Sequence, residues 1–378
     1  MQPLDLAFVV NDFNFFLTHR EKLLLSFLDK KHKVTLITDT SGSEERVLKK
    51  YKDLGLEIIP FSIDRSSMNP FKNLEQMFVL FLILKEVKPK ILTLISSKPI
   101  IYGGLLSKVL KLDKIFFVIS GLGYSFISNE LRARFARFII FILYKFIFKH
   151  KRSKVIFQNN DDKDLFTNSG LLKNEQSILI RGNGVSTKQF CRSAYPEKLT
   201  FLFASRLLID KGINEFLVAA NNCRDLDIQF IVAGEIDTEN PNCINEEDFK
   251  SALSFDFINY VGKINYEEMN HLFNKAHVFV LPSYREGLPK VALEAGLCSM
   301  PLILTDTIGC RDCLVDSETG YLVKMKSSED IEKKVRSFYH NREKIEEMGI
   351  KSREYIQNNF SESIICKQYI DLYEGGAT

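Results

Sequence analysis

The chain has 378 residues, 45% of them hydrophobic and 26% charged, which is too long for one ordinary core, suits two domains, and excludes a disordered chain. Seven cysteines, an odd number spread from Cys191 to Cys366, exclude a disulfide framework, and no apolar run reaches the roughly 18 residues a spanning helix needs. The net charge of +3 hides an asymmetry: residues 1–190 hold 30 Lys and Arg against 18 Asp and Glu, so the first half faces something anionic. Short apolar runs alternate with stretches of helical period, the pattern of βα units around parallel sheets. LDLAFVV, KVTLITD, LEIIPFS, KILTLIS, KIFFVIS and KVIFQN predict the strands of a first doubly wound, Rossmann-like α/β half. SILIRGNGVSTKQF, rich in Gly, Asn and Ser, predicts a crossing near residues 181–198. LTFLFAS, IQFIVAG, FINYVG, HVFVLPS, PLILTD and GYLV then predict a second Rossmann-like half, and SESIICKQYIDLYEG a final amphipathic helix. The expected division is 1–185, 186–360, and a helix over 361–378 that crosses back to the first half. The first residues, MQPLDLAFVVNDFNFF, lack a basic region followed by an apolar core and a small-residue cleavage site, so a cytoplasmic chain is expected.

In doubly wound sheets ligands bind beyond the carboxyl ends of the strands, where loops enter helices. The polar clusters of this sequence fall at such places: NDFN, SGLGYS, SRLLIDKG, GEID and SYREGLPKVALEAG. Both halves are expected to aim these loops at one cleft. In the last cluster Pro289 suits the first turn of a helix, which puts Glu294 in the second turn and Glu286 in the loop ahead. Free N–H groups at a helix start suit an anionic or hydroxyl-rich ligand, and two flanking carboxylates can accept hydrogen bonds from vicinal hydroxyls, as on a hexose and a ribose. Arg206 and Lys211, on the loop after the first strand of the second half, are cations able to neutralise a diphosphate leaving group. Each set alone also reads as solvated loop charge; together, at equivalent strand ends of one sheet, they point to a site.

These residues resemble the retaining nucleotide-sugar glycosyltransferases of family four, which have two Rossmann domains in the GT-B arrangement. SRLLIDKG matches the diphosphate clamp, and EGLPKVALE the signature of two glutamates seven residues apart. GEIDTENPN, TDTIGCRDCLVDSETGYLV, DRSSMNP and SGLGYSF look like the branch that builds capsule, O-antigen and protein-glycan precursors on undecaprenyl diphosphate. The resemblance implies that Glu286 contacts the donor sugar, that Glu294 holds the ribose, and that Arg206 and Lys211 bind the diphosphate. It also places Gly287, Leu288 and Pro289 against the sugar, Gly262 and Lys263 at the base, and Gly234 nearby. For the acceptor it implies Arg65, Gly121 and Gly123. The family's glycine-rich loop after the first strand is absent; the sequence there is NDFNFFLTHR, which moves that expectation to Asn14, His19 and Arg20. The implied donor is a UDP-sugar, with N-acetylgalactosamine the first candidate, galactose and N-acetylglucosamine next, and the acceptor an undecaprenyl-diphosphate-linked saccharide. No cofactor and no metal are expected, because Arg206, Lys211 and helix dipoles do the charge work.

Other signals carry less. GLGYSF has Phe126 where a dinucleotide fingerprint needs Gly or Ala, so no nicotinamide cofactor is expected. Cys310 and Cys313 have C-x2-C spacing without a second pair or spaced histidines, and read as structural thiols. Asp225 and Asp227 precede a strand rather than follow one, and read as a solvated turn. His19 has an alternative reading as a helix residue with no role.

Residues 131–152, LRARFARFIIFILYKFIFKHKR, predict a basic aromatic helix. At helical spacing Arg134, Arg137, Phe138, Phe141, Lys145, Phe148 and Lys149 are expected on one face, and Ile139, Ile142, Leu143, Phe146 and Ile147 on another. The first face suits an anionic membrane surface, which predicts a peripheral protein on the cytoplasmic face of the inner membrane; the bland alternative is a core helix with a solvated basic edge. No zinc-finger spacing, RNP-type motif or basic recognition helix is present, so nucleic acid is not expected as a partner. Two rival functions stay open: a non-catalytic scaffold of a polysaccharide-assembly complex, and an enzyme acting on a soluble sugar phosphate.

Overall fold

A computed structural model describes residues 3–63, 69–121, 131–150, 152–237, 240 and 242–375. The chain forms two compact units, residues 1–183 with 365–378, and residues 184–364.

The first unit is built on a sheet of seven parallel strands: β1 (Asp5–Val9), β2 (Lys33–Thr38), β3 (Leu56–Pro60), β4 (Ile91–Ile95), β5 (Lys114–Ile119), β6 (Ser153–Phe157) and β7 (Ser177–Leu179). Their order is β3-β2-β1-β4-β5-β6-β7, so the direction of winding reverses between β1 and β4. The helices are α1 (Phe13–Asp29), α2 (Glu45–Asp53), α3 (Pro70–Val87), α4 (Ser97–Val109), α5 (Leu131–Ile147) and α6 (Asn160–Asn168). The strands are apolar on both faces because both are covered. In β5, Ile115, Phe117 and Ile119 join the core under α3, α4 and α5, while Phe116 and Val118 join the core under α1 and the last helix. Side-chain caps fix the helix starts: Asp12 accepts from the Phe15 N–H, and Asn69 from the Phe71 N–H with Pro70 in the first turn.

The second unit repeats the plan with six parallel strands: β8 (Thr200–Ala204), β9 (Gln229–Ala233), β10 (Ile258–Gly262), β11 (Val278–Leu281), β12 (Leu302–Thr305) and β13 (Gly320–Val323). Their order is β10-β9-β8-β11-β12-β13, with the reversal between β8 and β11. Its helices are α7 (Ile213–Asn222), α8 (Glu246–Ala252), α9 (Met269–Asn274), α10 (Lys290–Leu297), α11 (Ser328–His340) and α12 (Glu343–Phe360). Helix α13 (Glu362–Glu374) begins in this unit and ends in the first. There Tyr373 stacks on Phe116 at 4.4 Å and its hydroxyl lies 2.6 Å from that of Thr93. The Lys114 ammonium donates to the carbonyls of Leu372 and Tyr373, closing the helix end.

Two expectations are corrected. The stretch SILIRGNGVSTKQF is not only a crossing, because Ser177–Leu179 pairs with β6 as an edge strand. The basic aromatic helix is also rotated from the expected face. Phe148 is 1% exposed and meets Phe117 and Phe166, and Phe141 packs on Phe166, so neither faces outward. The exposed stripe is Phe135, Phe138, Ile139, Ile142 and Phe146, flanked by Arg134, Lys145 and Lys149. The rotation follows from the aromatic cluster on β5, β6 and α6, which takes Tyr144, Ile147 and Phe148 as its contacts. Among the described residues no helix is long and apolar enough to cross a membrane.

Candidate active site

The reversal between β8 and β11 places two loops side by side at their carboxyl ends, the position where doubly wound sheets bind ligands. The loop after β8 carries Arg206, a 3-10 turn over Ile209–Lys211, and Gly212, which opens α7. Gly212 has φ +77°, and a Cβ there would lie 2.2 Å from the carbonyl oxygen of Pro282, so only glycine lets this loop close on the one after β11. The Tyr284 N–H completes the junction by donating to the Asp210 carbonyl at 2.9 Å.

Across the junction the Lys211 Nζ lies 2.6 Å from Oε1 of Glu286, and the Ser283 hydroxyl donates to the same oxygen at 2.8 Å. Both charged side chains are only 16% exposed. The loop after β12 supports the other side. The Glu286 N–H donates to the Ile308 carbonyl, and a Cβ on Gly309 would collide with the carbonyls of Glu286 and Gly287. Arg206 is more exposed, with its nearest carboxylate, Asp237, at 3.7 Å. Gly287 and Leu288 complete the loop, and Pro289 caps α10 one residue ahead of its first turn.

Glu294 lies in the second turn of α10, as expected, but it is no helix-surface charge: it is 3% exposed. Burial raises its carboxyl above the usual range, opposed by the Lys290 ammonium and a hydrogen bond from Tyr266. The Tyr266 hydroxyl donates to Glu294 at 3.0 Å, Lys290 donates to Tyr266 at 3.0 Å, and the ammonium sits 4.6 Å over the Tyr266 ring. Tyr266 and Lys290 were not expected. The available signal was position, since Tyr266 follows β10 at the same strand ends as the other loops. Gly262 ends β10 with φ +73° and accepts from the Gly234 N–H at 2.8 Å, and Lys263 pairs with Glu235 at 2.7 Å. Gly234 is required by closeness, since a Cβ would fall on the Ser205 carbonyl.

The expected acceptor residues divide. Asn14 is exposed at the start of α1, where it donates to the Gly42 carbonyl and accepts from Ser43. The His19 ring shares a hydrogen bond with the Phe15 carbonyl one turn back and packs on the Phe15 ring. Arg20 is 5% exposed, with its guanidinium 5.0 Å over the Tyr369 ring of α13, because helical phase turns it toward the core of the first unit. Gly121 has φ +138° just after β5, which favours glycine. Arg65 and Gly123 lie outside the described residues. At the β1/β4 reversal two residues stand out that were not expected. The Asn11 Oδ1 is buried without a hydrogen-bond partner among the described residues, and Ser96 holds φ +78°, ψ 163°, a region otherwise almost confined to glycine.

The discounted residues have structural roles. Cys310 and Cys313 are fully buried, and burial pushes the Cys310 thiol up to about 12. Asp225 pairs with Arg336, and Asp227 with Lys198.

Residues 186–355 match the model of the family described as glycosyl transferases group 1. The chain is 28% identical over 369 residues to the N,N'-diacetylbacillosaminyl-diphospho-undecaprenol alpha-1,3-N-acetylgalactosaminyltransferase of Campylobacter jejuni subsp. jejuni serotype O:2, covering 94% of each chain. It is 24% identical to the capsular polysaccharide biosynthesis glycosyltransferase CapM of Staphylococcus aureus, covering 92% of each. Among solved structures, Anabaena HepE in complex with UDP and glucose superimposes with a TM-score of 0.79 at 12% identity, over 98% of this chain and 100% of that one. The sucrose-phosphate synthase of Thermosynechococcus elongatus gives the same TM-score at 18% identity, over 99% of each. Residues 186–355 thus belong to the glycosyl transferases group 1 family, and the chain is a glycosyltransferase with the GT-B fold.

Proposed function

We propose that this glycosyltransferase moves an N-acetylhexosamine or hexose from a UDP-sugar to an undecaprenyl-diphosphate-linked saccharide, with retention of the α configuration. N-acetylgalactosamine is the first candidate. The observation that carries the reading is similarity along 94% of both chains to a transferase whose name specifies that sugar and such an acceptor. The geometry at the β8/β11 reversal supports it. Lys211 and Arg206 stand on the loop where a diphosphate would lie, Glu286 stands where sugar hydroxyls could donate to it, and Glu294 waits at the next helix turn for a ribose.

In the proposed step the bond between the sugar C1 and the UDP oxygen breaks while the acceptor oxygen bonds to C1 on the same face. The acceptor proton passes to the departing diphosphate oxygen, and the products are UDP and the glycosylated lipid. The cations stabilise the charge that grows on the diphosphate. No side-chain nucleophile and no metal enter this step. The exposed apolar stripe of α5, with its flanking cations, supports peripheral attachment to the cytoplasmic face of an anionic inner membrane, where the lipid acceptor is held.

The test is mass spectrometry of purified protein with a polyprenyl-diphosphate-linked N-acetylhexosamine and a mixed pool of UDP-sugars. One new product, heavier by one sugar, is expected, and its mass separates hexose from N-acetylhexosamine. No product despite calorimetric UDP binding would overturn the acceptor or sugar assignment; no UDP binding would overturn the donor site.

A further inference from the structure

The first unit carries a second concentration of charge, at the amino-terminal edge of its sheet and opposite the loops at the carboxyl ends of that same sheet. A groove of about 930 Å³ runs there between the starts of β5 and β6, the end of α5 and the loop after α6. Lys114, Lys145, Lys149, Arg152, Lys154 and Lys173 line it, with Asp113 and Glu175 as its carboxylates. Both carboxylates are engaged, Asp113 with Arg152 and Glu175 with Lys173. Lys154 and Lys114 donate to backbone carbonyls, which orient the ammonium groups without neutralising them. Lys145 and Lys149 stand one turn apart on the lip, with no carboxylate partner among the described residues; like charges at that spacing repel. A neighbouring groove of about 450 Å³ adds Lys108 and Lys111 and shares Lys149 and Arg152. Burial and then the field of Lys154 hold the Lys114 ammonium below its ordinary range, and burial and then Lys149 do the same to Lys108.

Uncompensated cations around a cavity attract a multivalent anion, and the adjoining surface says which. The exposed stripe of α5 ends at the groove with Phe146, over whose ring the Lys108 ammonium sits at 3.8 Å. Helix α3, beyond α4 on the same side of the sheet, exposes a second stripe of Phe71, Leu74, Phe78 and Leu82, with Phe71 81% exposed. Residues 97–111 and 131–149 together hold eight Lys and Arg and no Asp or Glu. An apolar ridge running into a cationic groove matches a molecule in which acyl chains are joined to a phosphate. Inorganic phosphate would match the groove alone.

We propose that this groove receives the phosphate of an anionic phospholipid headgroup and so anchors the first unit by the edge remote from its ligand-binding loops. The proposal rests on the membrane reading above. The test compares wild-type protein with Lys149→Gln/Lys154→Gln and with Phe138→Ser/Ile142→Ser. Each is sedimented with vesicles of phosphatidylcholine, with and without phosphatidylglycerol, after melting curves establish that each is folded. The groove variant should partition about 25-fold less onto the phosphatidylglycerol vesicles, at about fivefold per cation. Unchanged partitioning of the groove variant beside release of the stripe variant would overturn the headgroup site and leave the membrane reading standing. Failure of the wild type to bind either vesicle would sink both. If inorganic phosphate binds the wild type and not the groove variant by calorimetry, while both sediment equally, the groove serves free phosphate and the lipid assignment falls.

Discussion

Lys211 and Glu286 form an ion pair at 2.6 Å across the β8 and β11 loops, so the cation proposed for the diphosphate and the carboxylate proposed for the sugar neutralise each other. The two roles can therefore be separated by removing one charge at a time. Glu286→Gln keeps a group that can accept from Ser283 but releases the full charge of Lys211. UDP binding by calorimetry should tighten or hold, while turnover falls at least 100-fold. Lys211→Ala should weaken UDP binding and turnover together, by about tenfold or more, the worth of a charge-assisted hydrogen bond. Loss of UDP binding in Glu286→Gln would contradict this division.

The Tyr266 hydroxyl supplies one of the few polar contacts of the buried Glu294 carboxyl. Tyr266→Phe should raise the KM for the donor about tenfold, with kcat within about twofold, because only the placement of Glu294 is disturbed. A wild-type donor KM in this variant would show that Tyr266 does not position the carboxylate.

Ser96 sits in a conformation that costs a non-glycine residue on the order of 1–3 kcal/mol. Ser96→Gly should raise the melting temperature by several degrees. If the strain is retained for function at the β1/β4 reversal, the same variant should show a raised KM for the lipid-linked acceptor and an unchanged KM for the donor. No gain in stability would mean the backbone is not strained there.

The His277 imidazole accepts the Thr200 N–H at Nδ1 and stacks on Tyr195. Burial, then the nearby Arg192 and Arg342, hold it down at about 4 from its ordinary 6.5. The unfolded chain thus binds this proton first as pH falls. The second unit should be fully stabilised above pH 6.5 and lose this contribution between 6.5 and 4, and His277→Gln should flatten that part of a melting-temperature profile. Parallel profiles would assign the loss to other groups.

The apolar runs announced the strands because parallel sheets covered on both faces leave runs such as LTFLFAS without alternation, and that signal is strong. Ser177–Leu179 was hidden by its length of three residues and by the glycines and asparagines behind it. The face of α5 was hidden for another reason: a helix apolar nearly all round does not say which aromatics go inward, and only Phe117 and Phe166 decide that Phe148 does. Arg206, Lys211, Glu286 and Glu294 were legible as one group, since together at the strand ends of one sheet they match the motifs SRLLIDKG and EGLPKVALE, and the structure sets them on the adjoining loops after β8 and β11 and on the helix that follows. Tyr266 was not, since a lone tyrosine in a loop belongs to no such motif.

Helix α13 has a consequence for the order in which the molecule is made. The core of the first unit includes Tyr369 and Tyr373, yet these follow the whole of the second unit in the chain. At about 5–20 residues per second, the ribosome needs on the order of 10–40 s to travel from the end of β7 to that helix. The first unit therefore waits, incomplete, while the second is synthesised and can fold. During that interval the groove against Phe116, where Tyr373 will stack, is open to chaperones and to misassembly, and a truncation that removes Tyr369 and Tyr373 acts on the unit that emerged first.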